Sequence, residues 1–295
     1  MKIADSRTDV IYYSISYIII GILTLIVLIP MMFVVSASFS AGAAVTSGKV
    51  WLWPVNPTFY NFEMVFQYKS IWIGYRNTVF YTAFGTIINV CLTLICAYPL
   101  SRKNLAGRGF FTFIFTFTMI FSGGMIPSYI LMKNLKLLNT VWAMVLPGAI
   151  SVYNMIVTRT FFQNTIPNEL LEASKLDGCS DAQYFFRVLL PLSSAVIAVI
   201  SLFYAVGHWN AYFNAFLYLS KKELYPLQLF LREILVQNTF NNDIIMDPEM
   251  VKQFQAIQDT LKYAIIVLST APLMCFYPFA QRHFVKGVMI GSLKG

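Results

Sequence analysis

Charge is scarce in this chain. Only 12% of its 295 residues are Asp, Glu, Lys or Arg, against roughly 25% in an ordinary soluble domain, and 58% are hydrophobic. With long apolar runs, that composition excludes a typical soluble domain and points to a polytopic membrane protein. Histidine is almost missing: His208 and His283 are too few and too far apart for a His-based metal centre. The four cysteines, Cys91, Cys96, Cys179 and Cys275, show no CxxC spacing, so nothing suggests a disulfide framework or a thiolate metal site. No Gly-x-x-x-x-Gly-Lys-Ser/Thr run occurs, so the chain cannot itself cradle ATP phosphates in a P-loop. No internal repeat is found, which argues against carriers built from inverted repeats. The apolar stretches hold almost no ionisable group besides His208, whereas ion-coupled carriers need such groups within the membrane. They hold no Asp or Glu pair and no nucleophile–base set, so the chain reads as non-catalytic.

What the chain has in abundance is apolar length. Six stretches, each near the ~20 residues that cross a bilayer, run at about 12–36, 76–99, 109–132, 139–162, 190–219 and 261–281. They predict an all-α, polytopic membrane protein that forms a single domain over 1–295. Pro147 and Gly148 in the fourth stretch, and Pro272 and Pro278 in the sixth, predict kinks. The first stretch is too long for a secretory h-region and is read as a span rather than a cleavable signal. A net charge of +8 fits basic flanks on anionic headgroups better than nucleic acid. With a cytoplasmic N-terminus, eleven of the 21 Lys and Arg fall inside. The short loop holding Arg102, Lys103 and Arg108 favours that orientation, and Lys133 and Lys136 oppose it. Connections 37–75 and 220–260 are long and face water. Within the second, Pro226 opens an amphipathic helix with Leu227, Phe230, Leu231, Ile234 and Leu235 on one face.

Residues 163–189 carry the densest set of helix signals. Pro167 followed by Glu169 and Glu172 marks a helix N-terminus. Leu170, Leu171, Ala173 and Leu176 give that helix an apolar side. Gly178 stands where a helix ends in a left-handed residue. Ser180 with Gln183 three residues on is a capping-box pattern that starts a second helix. Pro191 breaks that helix or begins the next span. Helix, glycine turn and helix make a compact knob with an apolar face and an acidic rim, suited to docking in a groove on a moving partner.

Glu172-Ala173-Ser174, Asp177-Gly178, the pair Phe185-Phe186 and Leu190-Pro191 stand at the spacing of the coupling ("EAA") loop of ABC importer permeases. The chain resembles the smaller, six-span permease of maltose-permease-type carbohydrate importers over about 70–295. Ala97-Tyr98-Pro99-Leu100-Ser101-Arg102, Leu137-Leu138-Asn139-Thr140, Trp209-Asn210 and the C-terminal segment from Gln281 also fit that family. Ser174 and Cys179 depart from its commoner alanines. Ser122-Gly123-Gly124-Met125-Ile126-Pro127 and Gly207-His208-Trp209-Asn210 resemble a subgroup linked to oligosaccharide and polysaccharide-fragment uptake. The resemblance implies the type I ABC importer permease fold, with six transmembrane helices and a cytoplasmic helical coupling loop. It implies ATPase coupling through Glu169, Glu172, Ala173, Ser174, Asp177, Gly178, Phe185, Phe186, Leu190 and Pro191. It also implies a tail with Gln281, Lys286, Gly287, Lys294 and Gly295 that reaches into the ATPase dimer. The implied partners are a second permease subunit in a heterodimer, two ATPase subunits, an extracytoplasmic sugar-binding protein and membrane lipid. ATP and Mg are bound by the ATPase, with no cofactor or metal on this chain. The implied place is the bacterial cell membrane, with both termini cytoplasmic, and the implied substrate is carbohydrate, as oligosaccharide. The alternatives are an ABC permease for a non-sugar solute and an ion-coupled secondary carrier.

Sugar paths need aromatic faces and hydrogen-bonding groups. Tyr204, His208, Trp209, Asn210, Tyr212 and Asn214 supply both near the outer half of the fifth span. Polar groups at membrane depth are costly unless paired or facing a cavity. The set therefore reads either as a path wall or as interhelical hydrogen bonding with an aromatic belt. Asn89, Tyr129, Tyr153 and Asn154 carry the same two readings with weaker clustering. The Phe-rich run from Phe110 to Phe121 reads as lipid-facing or packed in the core.

Overall fold

The computed structural model describes residues 7–237 and 260–275. Its regular elements are all helices, and the sole β feature among them is an isolated antiparallel bridge between Ser40 and Pro57. The chain forms two compact units, Met1–Lys69 with Glu233–Ala271, and Ser70–Arg232 with Pro272–Gly295. Each unit is assembled from segments far apart in the chain, so no linker composition marks the boundary.

The first unit begins with α1 (Arg7–Ser38), followed by α2 (Gly42–Thr46) and α3 (Tyr60–Gln67). The 32 residues of α1 span about 48 Å, more than the ~30 Å hydrocarbon core of a bilayer. Its most apolar 18-residue window has a mean hydropathy of 3.0 and is wholly unburied. A helix apolar on every face is stable only in an apolar surrounding. It packs only near its end, where Ala37, Ala44 and Val50 form a small core with Phe33, Val45, Val55 and Tyr263. Buried Asn61 on α3 donates from Nδ2 to the carbonyls of Ser38 and Ser40, both at 3.1 Å, and accepts from Thr260 Oγ1 at 3.1 Å. Of the span expected at 261–281, a helix is described over Thr260–Cys275; the remainder lies outside the described residues.

The second unit is organised on α4 (Lys69–Ser101), 33 residues without interruption. The span expected at 76–99 is thus longer at both ends. Helix α4 is followed by α5 (Arg108–Ile120), α6 (Met125–Asn134), α7 (Trp142–Val145) and α8 (Val152–Asn164). Then come α9 (Asn168–Leu176), α10 (Asp181–Leu192), α11 (Ser194–Trp209), α12 (Phe213–Tyr218) and α13 (Leu227–Gln237).

Three expected spans are not continuous helices. That at 109–132 bends by 114° between α5 and α6, where Gly124 takes φ 86°. The stretch 139–162 keeps only one helical turn before Pro147, which lacks a donor, and Gly148 at φ 73°. The stretch 190–219 begins inside α10, bends by 80° at Ser193 and is interrupted again after Trp209. The Ser193 hydroxyl donates to the Leu189 carbonyl at 2.6 Å, a back-bond that bends helices. Among the described residues, two helices are long and apolar enough to cross a membrane, or up to four spans if each bent pair counts as one.

One core joins Leu94 and Ala97 of α4, Met155 and Phe162 of α8, Tyr184 and Leu189 of α10, and Ile200 and Tyr204 of α11. Another joins Tyr81 of α4 to Met132, Met144, Tyr218 and Leu229. Helix α4 also carries polar anchors. Asn77 Nδ2 donates to the carbonyls of Glu223 (2.7 Å) and Tyr225 (3.0 Å), Tyr81 Oη donates to Leu224 O (2.8 Å), and Thr78 Oγ1 accepts the Leu227 N–H (2.8 Å). At its C-terminal end, Arg108 and Arg159 each donate Nε–H to the Leu100 carbonyl at 3.0 Å, and Gln163 donates to the Ser101 carbonyl at 3.2 Å. Cations on orphan terminal carbonyls also suit the helix dipole. In the amphipathic helix α13, Leu227, Phe230 and Leu231 of the expected stripe are buried, as is Leu229.

Candidate functional site

The first candidate is the knob formed by α9 and α10. Helix α9 closes in a Schellman motif: the Cys179 N–H donates to Ser174 O at 2.9 Å and the Gly178 N–H to Lys175 O at 3.1 Å. Gly178 takes the left-handed conformation this requires, φ 75°. A reciprocal capping box opens α10, with Ser180 N–H to Gln183 Oε1 at 2.8 Å and Gln183 N–H to Ser180 Oγ at 3.2 Å. Pro191 does not break this helix. A π turn over Phe185–Leu189 precedes it, and the wider turn accommodates a residue that cannot donate and crowds the carbonyl four positions back.

The expected apolar side of α9 divides. Leu171 is half-buried, whereas Leu170, Ala173 and Leu176 are exposed, Leu176 by 90%. Ser174 and Phe185 are buried against the chain itself; the Ser174 hydroxyl donates to Leu171 O at 2.8 Å, and Phe185 joins Tyr184 and Leu189 in the core. These two residues root the knob. Glu169, Glu172, Asp177, Gly178, Phe186 and Pro191 face outward, and Leu190 is half-buried. Between the knob and the end of α4 lies a cavity of about 510 Å³, with Arg102 and Lys103 on one side and Glu172, Lys175 and Asp181 on the other. The Arg102 guanidinium lies 4.9 Å from the ring centroid of Tyr98 and 5.5 Å from that of Tyr184.

The second candidate is a cleft of about 510 Å³ lined by residues of α4, the α7–α8 break, α11 and α12. Of the six path residues expected on the fifth span, Tyr204, His208 and Asn214 line it. Trp209 is buried outside it. Asn210 is exposed, with Nδ2 donating to Val206 O of its own helix at 2.9 Å, and Tyr212 is exposed with its ring edge-on to Phe213. Asn89, Tyr153 and Asn154 join the cleft, while Tyr129 stacks on Tyr218 instead. Ser151, Pro147 and Gly148 also line it, and the Pro-Gly pair followed by an N-capping serine was their only sequence signal.

Three hydrogen bonds hold its side chains in place. The Tyr204 hydroxyl accepts the Ser151 N–H at 2.9 Å and pairs with Thr93 Oγ1 at 2.6 Å. Asn89 Nδ2 lies 3.0 Å from His208 Nε2. Gly85 makes room for that imidazole, since a Cβ there would stand 2.5 Å from Nε2. Among the described residues, no group of three His, Cys, Asp or Glu side chains is placed to hold a metal. The tail residues Gln281, Lys286, Gly287, Lys294 and Gly295 lie outside the described residues.

Comparison with known proteins places the chain in a family. Residues 70–290 match the family described as "Binding-protein-dependent transport system inner membrane component". The chain is 42% identical over 272 residues to the polygalacturonan/rhamnogalacturonan transport system permease protein YtcP of Bacillus subtilis (strain 168), covering 92% of this chain and 94% of that protein. It is 38% identical to protein LplC of the same organism, covering 92% and 90%. Among solved structures, a bacterial ABC transporter involved in the import of the acidic polysaccharide alginate superposes with a TM-score of 0.85 at 34% identity, covering 96% of this chain and all of that one. With this coverage the chain belongs to the family of inner-membrane permease components of binding-protein-dependent ABC transport systems.

Proposed function

We propose that the chain is one of two permease subunits in an ATP-driven importer of oligosaccharide, working as a heterodimer with two ATPase subunits and an extracytoplasmic sugar-binding protein. Relatives named for polygalacturonan/rhamnogalacturonan and alginate transport support fragments of a uronate-containing polysaccharide as the substrate class. The proposed arrangement in the bacterial cell membrane has six crossings, with both termini and the knob in the cytoplasm and the C-terminal tail against the ATPases. The binding protein delivers sugar at the outer mouth. ATP and Mg bind the partner ATPases, whose closure pushes the knob and turns the permease pair outward; hydrolysis resets it. The sugar passes Tyr204, His208 and Asn214.

The observation that carries the coupling role is the exposure of Leu176 (90%) and Phe186 (65%) on a knob that is capped at its turn and rooted in the core. Bare apolar side chains on a rigid projection mark a partner surface. The test is Leu176→Asp with Phe186→Asp, and separately Glu172→Lys, in the complex purified from membranes. The permease is expected at normal abundance, with binding-protein-stimulated ATP hydrolysis lost. Undiminished stimulation in both would remove the knob from the coupling path.

A further inference from the structure

We propose that the cleft beside the α7–α8 break is a transit subsite that seats one sugar ring, with Asn89 in direct contact with a sugar hydroxyl. The proposal rests on the carbohydrate reading above and adds to it a site on this subunit.

Asn89 is only 3% exposed and borders the cleft, yet its Oδ1 has no hydrogen-bond donor. Its other polar atom, Nδ2, is committed to His208. A buried acceptor without a donor is costly. Oδ1 is closed off in this conformation, so a sugar hydroxyl in the cleft reaches it once the Asn89 side chain turns toward the cleft.

The backbone points the same way. Residues 146–151 leave the helical path between α7 and α8, and Pro147, Gly148 and Ser151 border the cleft. Non-helical backbone within a membrane protein is tolerated where it is buried in protein or lines a water-filled cavity. The Tyr153 and Phe203 rings lie 6.5 Å apart on the same cleft, 56% and 38% exposed. They offer an apolar wall for the C–H face of a pyranose opposite the polar floor. The volume, about 510 Å³, falls within the roughly 300–1,000 Å³ usual for small-molecule pockets. No Lys, Arg, Asp or Glu lines the cleft, so it reads a ring's hydroxyls and does not itself pair a uronate carboxylate.

The test uses the complete complex in proteoliposomes, with radiolabelled trigalacturonate as the probe and two rates measured together: sugar imported and ATP hydrolysed. Asn89→Leu and Tyr153→Ala are expected to lower import about tenfold, the size of one lost hydrogen bond or ring contact, while stimulated ATP hydrolysis persists. Tyr153→Phe keeps the ring and restores import. Import that is unchanged, or that falls in proportion to hydrolysis, overturns the subsite and leaves the importer reading standing. A wild-type complex that hydrolyses ATP on stimulation but moves no oligosaccharide overturns both.

Discussion

Gly178 separates backbone strain from crowding. Its φ is 75°, and a Cβ built there has nothing within 4 Å. Any penalty from Gly178→Ala is therefore conformational, about 1–2 kcal/mol for an L-residue held left-handed. Asparagine visits that region more readily, so Gly178→Asn should cost less. Proline is the extreme case: its φ is locked near about −65°, and it loses the donor that now bonds the Lys175 carbonyl at 3.1 Å. The turn joins two short helices rooted by Tyr184, Phe185 and Leu189, so the loss should appear as local opening of the knob before global unfolding. About 1–2 kcal/mol raises the open population about 5- to 30-fold. Hydrogen exchange of peptides spanning 168–192 in the detergent-purified complex reads this directly, and binding-protein-stimulated ATP hydrolysis reads its consequence. Protection and stimulation should both decline in the order Gly, Asn, Ala, Pro. Alanine as well protected as glycine, or asparagine worse than alanine, would refute the assignment of strain to this turn.

Gly85→Ala tests the opposite case, ordinary φ with no room. The new methyl would stand 2.5 Å from His208 Nε2 and 2.6 Å from Cε1, so the ring must shift off Asn89. The expected cost is about 1–3 kcal/mol, seen as earlier thermal unfolding of the purified complex; an unshifted transition would show that the imidazole is free to yield. Tyr204→Phe removes the hydroxyl that takes the Ser151 N–H and pairs with Thr93. That should cost about 1–3 kcal/mol and speed amide exchange at 151–155, with no change there as the contrary result.

The knob was legible because its signals are local. The left-handed glycine, the Ser180–Gln183 box and the proline-led start of α9 each depend on a few neighbouring residues, and each is found where the spacing places it. The split of its apolar side was not legible, since whether Leu171 or Leu176 turns inward depends on what α9 packs against. That α1 and α4 exist follows from their long apolar runs, while both helices extend beyond the expected bounds. The interruptions at 121–124 and 193 do not follow from such runs: α5 buries none of its residues, so nothing in its apolar length marks a change of direction, whereas the Pro147–Gly148 pair did announce the break at 146–151. Glycine and proline announce a bend there without giving its angle. The cleft was half visible: Tyr204 and His208 share one helix, but Asn89 and Asn154 reach it from other helices, and only folding joins them. Asn139, picked out as part of a motif, proves to be a clamp. It sits at φ 57° and its Oδ1 accepts the N–H groups of Ser220 and Lys221.

Within the second unit the one long unbroken helix, α4, touches every feature of interest. Asn77 and Tyr81 fasten one end, Asn89 borders the cleft midway, and the carbonyls of Leu100 and Ser101 are gripped at the other end beside the knob. From Asn77 to Ser101 it is a stiff rod of about 36 Å at 1.5 Å per residue, and a tilt of about 5° about Asn77 carries its C-terminal end about 3 Å. Its neighbours are jointed where it is not. On the proposed coupling role, a push at the knob is delivered to Asn89 as leverage about the fastened Asn77, so the stroke at the cleft is set by how far along this rod the asparagine stands.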